Sequence, residues 1–127
     1  MFWYGRRAMN SRAINLAEKI QTFTERWSPR TVATFNGHDV MVVRVEGEFV
    51  WHSHPDTDDV FFVLSGELDI ELRDGVVTVG PGELFIVPRG VEHRPTARRG
   101  EVQLMLIEPS GTPNTGDSAT AAKRILA

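Results

Sequence analysis

The stretch G-E-F-V-W-H-S-H-P-D-T-D-D-V-F-F-V-L-S-G, residues 47–66, is followed at residues 82–93 by G-E-L-F-I-V-P-R-G-V-E-H, and these two segments decide how the chain reads. Both carry short β-branched and aromatic runs bounded by glycine and proline, the pattern of strands joined by tight turns. His52 and His54 are two apart, so on an extended chain both imidazoles leave the same face. Imidazoles brought together in this way repel when protonated, and a divalent cation is the simplest partner they can share. Asp58 and Asp59 open the next run and offer a carboxylate. Of the two, Asp58 should point the opposite way, because neighbours on a strand alternate. His93 closes the second segment. Taken alone, a His-x-His pair suits a surface loop as well as a metal, and His38, beside a turn, reads as an ordinary surface histidine.

Working outward, the same texture extends in both directions. T-V-A-T-F, D-V-M-V-V-R-V-E, E-L-D-I-E-L, V-V-T-V and E-V-Q-L-M-L-I-E-P are further strand-like runs between residues 31 and 109. Ile70 and Leu72 alternate with Asp69, Glu71 and Arg73, as in a half-buried antiparallel strand. Asn36-Gly37 and Asp74-Gly75 predict primed hairpin turns, which need positive φ. Before the strands, Leu16, Ile20, Phe23 and Trp27 recur at helical spacing, with Asn15 and Glu18 in the form of a capping box. Ser28-Pro29 should end that helix, since a residue before proline is pushed out of the helical region. The expected division is an N-terminal extension and helix over 1–30, a β-barrel over 31–109, and a loop with a brief terminal helix over 110–127. Residues 1–8 read as a ragged extension, with Met1 and Met9 both candidate starts.

Composition narrows the chemistry. At 127 residues, 41% hydrophobic and 24% charged, the chain is one ordinary globular domain. It contains no cysteine, so disulfides and thiolate metal sites are excluded and a metal must sit on nitrogen and oxygen. That count fits a cytoplasmic protein. A net charge of −3 gives no reason to expect nucleic acid or an anionic membrane as a partner, and no run is long and apolar enough to span one.

The two opening segments resemble the paired signature motifs of the cupin superfamily. In the first, His52, His54, Asp59 and Gly66 keep the family's spacing, while Gly47 stands one residue closer to His52. In the second, Gly82, Pro88, Gly90 and His93 all match, and Ala97 replaces the usual asparagine. The likeness implies an all-β double-stranded β-helix (jelly-roll) barrel with a short N-terminal helix, small-molecule ligands and homodimers. It also implies one divalent metal ion per chain, held by His52, His54, Asp59 and His93, with iron, manganese, nickel and zinc not distinguished. Asp59 is one methylene shorter than the family's glutamate, so direct ligation, ligation through water and a three-histidine site all stay open. Small members of this type are often labelled mannose-6-phosphate-isomerase-like, after the fold. Three functions stay open: a metal-dependent enzyme of dioxygenase or isomerase type, a small-molecule or metal-binding module without turnover, or a purely structural or interaction role. Arg44, Glu46, Glu48 and Glu92 are candidate pocket groups whose strand phase the sequence leaves open.

Overall fold

The computed structural model describes residues 12–115 and, outside them, only the backbone of strand residues 3–4, 7–8 and 125–126. In chain order the elements are β1 (Trp3–Tyr4), β2 (Arg7–Ala8), α1 (Leu16–Ile20), β3 (Arg30–Phe35), β4 (His38–Glu48) and β5 (Asp59–Ser65). These are followed by β6 (Leu68–Leu72), β7 (Gly75–Val79), β8 (Leu84–Val87), β9 (His93–Pro109) and β10 (Ile125–Leu126). The main sheet runs β10-β3-β4-β9-β5-β8, with β6 on β9 and β7 on β6. The helix expected within 119–127 lies outside the described residues, apart from Ile125 and Leu126, which pair in parallel with β3.

Strand β9 is the spine. It pairs with β4 in both its first and second parts, and on its other side first with β6, Leu72 opposite His93 and Ile70 opposite Pro95, and then with β5. The change of partners falls where the β4–β9 register shifts between Val45 and Gly47. A bulge of this kind bends a strand so that one strand can serve two sheets. Between the sheets lies the expected jelly-roll interior: Met41, Val43 and Val45 from β4, Phe61 and Val63 from β5, Leu68 and Ile70 from β6, and Val102, Leu104 and Leu106 from β9. Ala97 is part of this core, where its methyl packs in place of an amide.

Two expectations need correction. The helix covers only Leu16–Ile20, although Asn15 caps it as expected by accepting a hydrogen bond from the Glu18 amide (3.1 Å). It stops because β4 competes for the chain that follows. Arg44 donates to the carbonyls of Ile20 and Phe23, both at 3.0 Å, and the Trp27 amide donates to the Arg44 carbonyl at 2.8 Å. Ile20 and Phe23 then pack on Val42 outside the barrel, whereas Trp27, at φ 59°, packs against the interior core. The second correction is the β6–β7 turn. Asn36 and Gly37 take positive φ as expected (49° and 74°), but neither Asp74 nor Gly75 does. Leu72 pairs with Gly75, so the turn is Arg73-Asp74 and Gly75 is already strand.

Candidate metal centre

His52, His54, Asp59 and His93 converge, with one ligand atom from each lying within 4.8 Å of the others, and this group can hold one metal ion. Three elements bring them together. Asp59 is the first residue of β5, paired with Val87 of β8, and its inward phase continues through Phe61 and Val63. His93 opens β9, and a backbone bridge in which each amide donates to the other's carbonyl (2.9 and 3.0 Å) ties it to His52. His54 does not sit on a regular strand. Its carbonyl accepts from the Gly90 amide at 2.8 Å, and Asp58 accepts from the Arg89 amide at 2.9 Å, which pins the 53–58 loop to the turn before His93. Asp58 is thus engaged at the surface, away from the cluster.

The hydrogen bonds set the protonation of the rings. A carbonyl can only accept, so Nδ1–H of His52 donates to Val50 (2.9 Å) and Nδ1–H of His93 donates to Val91 (3.0 Å). Both rings therefore turn Nε2 inward, the arrangement that orients metal-binding imidazoles. His93 Nε2 lies 3.0 Å from Asp59 Oδ2, and His54 Nε2 lies 3.2 Å from the same oxygen. In a neutral His93, that contact sets one lone pair against another. A cation between them removes the conflict. Asp59 Oδ1 and His54 Nε2 are buried without a hydrogen-bond partner, which is the costly condition that a shared ion would relieve.

Charges and distances agree with that fit. Burial pushes the His52 imidazole down to about 4, against the Val50 hydrogen bond, with His93 and His54 adding to the depression, so the ring is kept in its neutral, ligating form. Burial alone would raise the Asp59 carboxyl, but in the metal-free protein hydrogen bonds and charge from His54 and His93, which act when those Nε2 atoms carry a proton, outweigh it and hold the group below the ordinary carboxylate range. Two ligands at right angles on an ion about 2.1 Å away are set about 3.0 Å apart. The Asp59–histidine separations match that spacing, so the shorter aspartate reaches the histidine cluster.

Beside the cluster is a cavity of about 40 Å³, walled by Trp27, Phe49, Phe61, Leu104 and Leu106 and reached by His52, Asp59 and Glu108. Trp27 and Phe49 stack with centroids 4.7 Å apart. Arg44, Glu46, Glu48 and Glu92 are not among its walls. Arg44 faces α1, Glu46 pairs with Arg26, Glu48 with Arg94, and Glu92 with Arg73. His38 hydrogen-bonds the Asn36 carbonyl and takes no part in the cluster. Glu108 was legible in principle: in E-V-Q-L-M-L-I-E-P it continues the inward row Val102, Leu104, Leu106.

A family model described as a cupin domain matches residues 39–109, more than half of the chain, and the protein belongs to the cupin family. It is similar to a solved cupin-2 domain containing protein from Shewanella frigidimarina, with 48% identity and a TM-score of 0.74 over 76% of this chain and 93% of that one. It is 33% identical over 85 residues to the uncharacterized protein YdbB of Bacillus subtilis, covering 66% of this chain and 75% of that protein. The fold also matches hydroquinone 1,2-dioxygenase PnpCD, at 19% identity and a TM-score of 0.64 over 87% of this chain and 83% of that one.

Proposed function

We propose that this cupin acts on a small molecule at a mononuclear divalent centre held by His52, His54, Asp59 and His93. The observation that carries the reading is the buried Asp59 carboxylate with two imidazole Nε2 atoms against one of its oxygens. Three histidines and a carboxylate fill four of the roughly six positions of an octahedral ion, leaving room for a ligand, as catalytic sites do. Such an ion supplies Lewis-acid polarisation of a carbonyl or hydroxyl or, as iron, chemistry with dioxygen. The chain's own part is to hold the His52 imidazole neutral, to turn Nε2 of His52 and His93 inward, and to wall the cavity beside them with Trp27, Phe49 and Phe61, with Glu108 also lining it. The dioxygenase of the same fold was solved in complex with Cd2+ and 4-hydroxybenzonitrile, but at 19% identity its reaction is not carried over.

A homodimer in the cytoplasm completes the proposal. Elemental analysis of the purified protein, before and after incubation with iron, manganese, nickel and zinc, tests the metal reading. The expected result is about one equivalent per chain, abolished by changing His52 and His54 together to alanine while the fold persists. Far less than one equivalent with every metal would overturn it.

A further inference from the structure

We propose that Trp27 sets the size of the ligand that reaches the metal centre, an inference that rests on the metal reading above. Its indole caps the cavity lined by His52 and Asp59 and restricts it to molecules, or parts of molecules, of a few non-hydrogen atoms. The cavity measures about 40 Å³. A buried water needs about 10–15 Å³ of such space, and a cavity that takes up benzene is about 150 Å³. An aromatic ring therefore does not fit inside the walls as they stand.

Trp27 differs from the other walls in how it is held. Val43, Val45, Phe61 and Leu104 belong to β4, β5 and β9, whose ladders fix them. Trp27 is half-buried on the stretch between α1 and β3, so its position is set by separate contacts. Its amide donates to the Arg44 carbonyl at 2.8 Å, its Nε1–H donates to the Glu46 carbonyl at 3.0 Å, and its ring stacks on Phe49. Phe49 stands edge-on to His52, with centroids 5.3 Å apart, so the aromatic wall runs unbroken from a candidate ligand to the indole. This seat is strained. At φ 59° the Trp27 backbone lies in the left-handed region, which glycine or asparagine enters readily and a bulky side chain does not. Such a conformation persists only where its surroundings over-determine it, and it gathers where placement matters to function. Glycine would make the same turn without strain. What glycine lacks is the ring over the cavity.

Acetohydroxamic and benzohydroxamic acids carry the same metal-binding group and the same charge, one on a methyl and the other on a phenyl. Their comparison therefore reads size alone. Each is titrated into Co2+-loaded protein at neutral pH, with binding read from the visible absorption bands of the metal. The wild type should bind the methyl probe at least about tenfold more tightly than the phenyl probe. Trp27→Gly, which suits the positive φ and removes the ring, should tighten the phenyl probe by about tenfold or more, with methyl-probe affinity and metal stoichiometry unchanged. Trp27→Phe, which keeps a ring over the cavity, should retain the wild-type order. An unchanged order in Trp27→Gly overturns the inference. So does a wild type that binds the phenyl probe as tightly as the methyl one, a result that holds even if neither variant folds. A Co2+-loaded wild type that binds neither probe brings down this inference alone, whereas a wild type that takes up no Co2+ brings down the metal reading as well.

Discussion

At the scale of single residues, the site depends on which atoms hold protons. With Nδ1–H of His93 given to the Val91 carbonyl, the neutral ring has only a lone pair for Asp59, and the carboxylate is the anionic member of the candidate ligand group. Asp59→Asn keeps the volume and removes that charge. It should weaken metal binding by more than about tenfold, or about 1.4 kcal/mol, in a competition assay with a chelator. Asp59→Glu should retain binding, because the longer side chain can fold back to the same point; loss in Glu with retention in Asn would show a three-histidine site. His52 makes a second prediction. Its folded value is depressed to about 4 from 6.5, so as pH falls the unfolded chain takes up the proton first. Stability in the metal-free protein is therefore complete above about pH 6.5 and is lost progressively toward pH 4, by about 3 kcal/mol for this group. Denaturant melts of metal-free wild type and His52→Gln should show a shallower decline in the variant.

At the scale of elements, α1 is held on β4 by the packing of Ile20 on Val42 and by one charged side chain. Arg44, half-buried on β4, donates to the Ile20 and Phe23 carbonyls and pairs with Glu101 at 2.8 Å. The Ile20 carbonyl closes α1, and the Phe23 carbonyl lies three residues past its end. Arg44→Met should remove the charged donor from both carbonyls and cost about 2 kcal/mol, measured by urea unfolding, while metal stoichiometry stays the same because the site lies on the other face of the sheet. The turn after β5 is the complementary case. A Cβ at Gly66 would come within 2.9 Å of the Glu101 carbonyl oxygen, in a backbone conformation (φ +85°) that side chains disfavour. Gly66→Ala should therefore be destabilising by about 2 kcal/mol or more in the same assay.

The outer face of the β5–β8 ladder bears on the molecule as a whole. Val60 pairs with Ile86 and Phe62 with Leu84, and both Leu84 and Ile86 are exposed on the edge strand β8. An apolar row along an open edge is a liability for a monomer and a fit for a second copy of the chain. Light scattering at micromolar concentration should return twice the 14.2 kDa chain mass, and Ile86→Glu should shift it toward the monomer. A wild-type mass near 14.2 kDa would refute the dimer.

The β-rich architecture, the Asn36-Gly37 turn and the His52–His54 pair were legible in the sequence from local spacing: alternation along a strand, a turn that demands positive φ, histidines two apart. Asp59 and His93 joined that pair only through the likeness to the cupin motifs, since His93 is distant in sequence. The sequence could not show where the helix ends. Phe23 and Trp27 keep helical spacing with Ile20, yet hydrogen bonds from β4 pull the chain out of the helix and send the two aromatic rings to opposite sides of the sheet. Nor could it show that Asp59 reaches the histidines despite its short side chain, since that follows from the pairing of β5 with β8 and of His52 with His93. Glu108 is the remaining case. Its inward phase is written in β9, but only closure of the barrel, which brings β9 beside both β4 and β5, places that acid in the cavity with the candidate ligands.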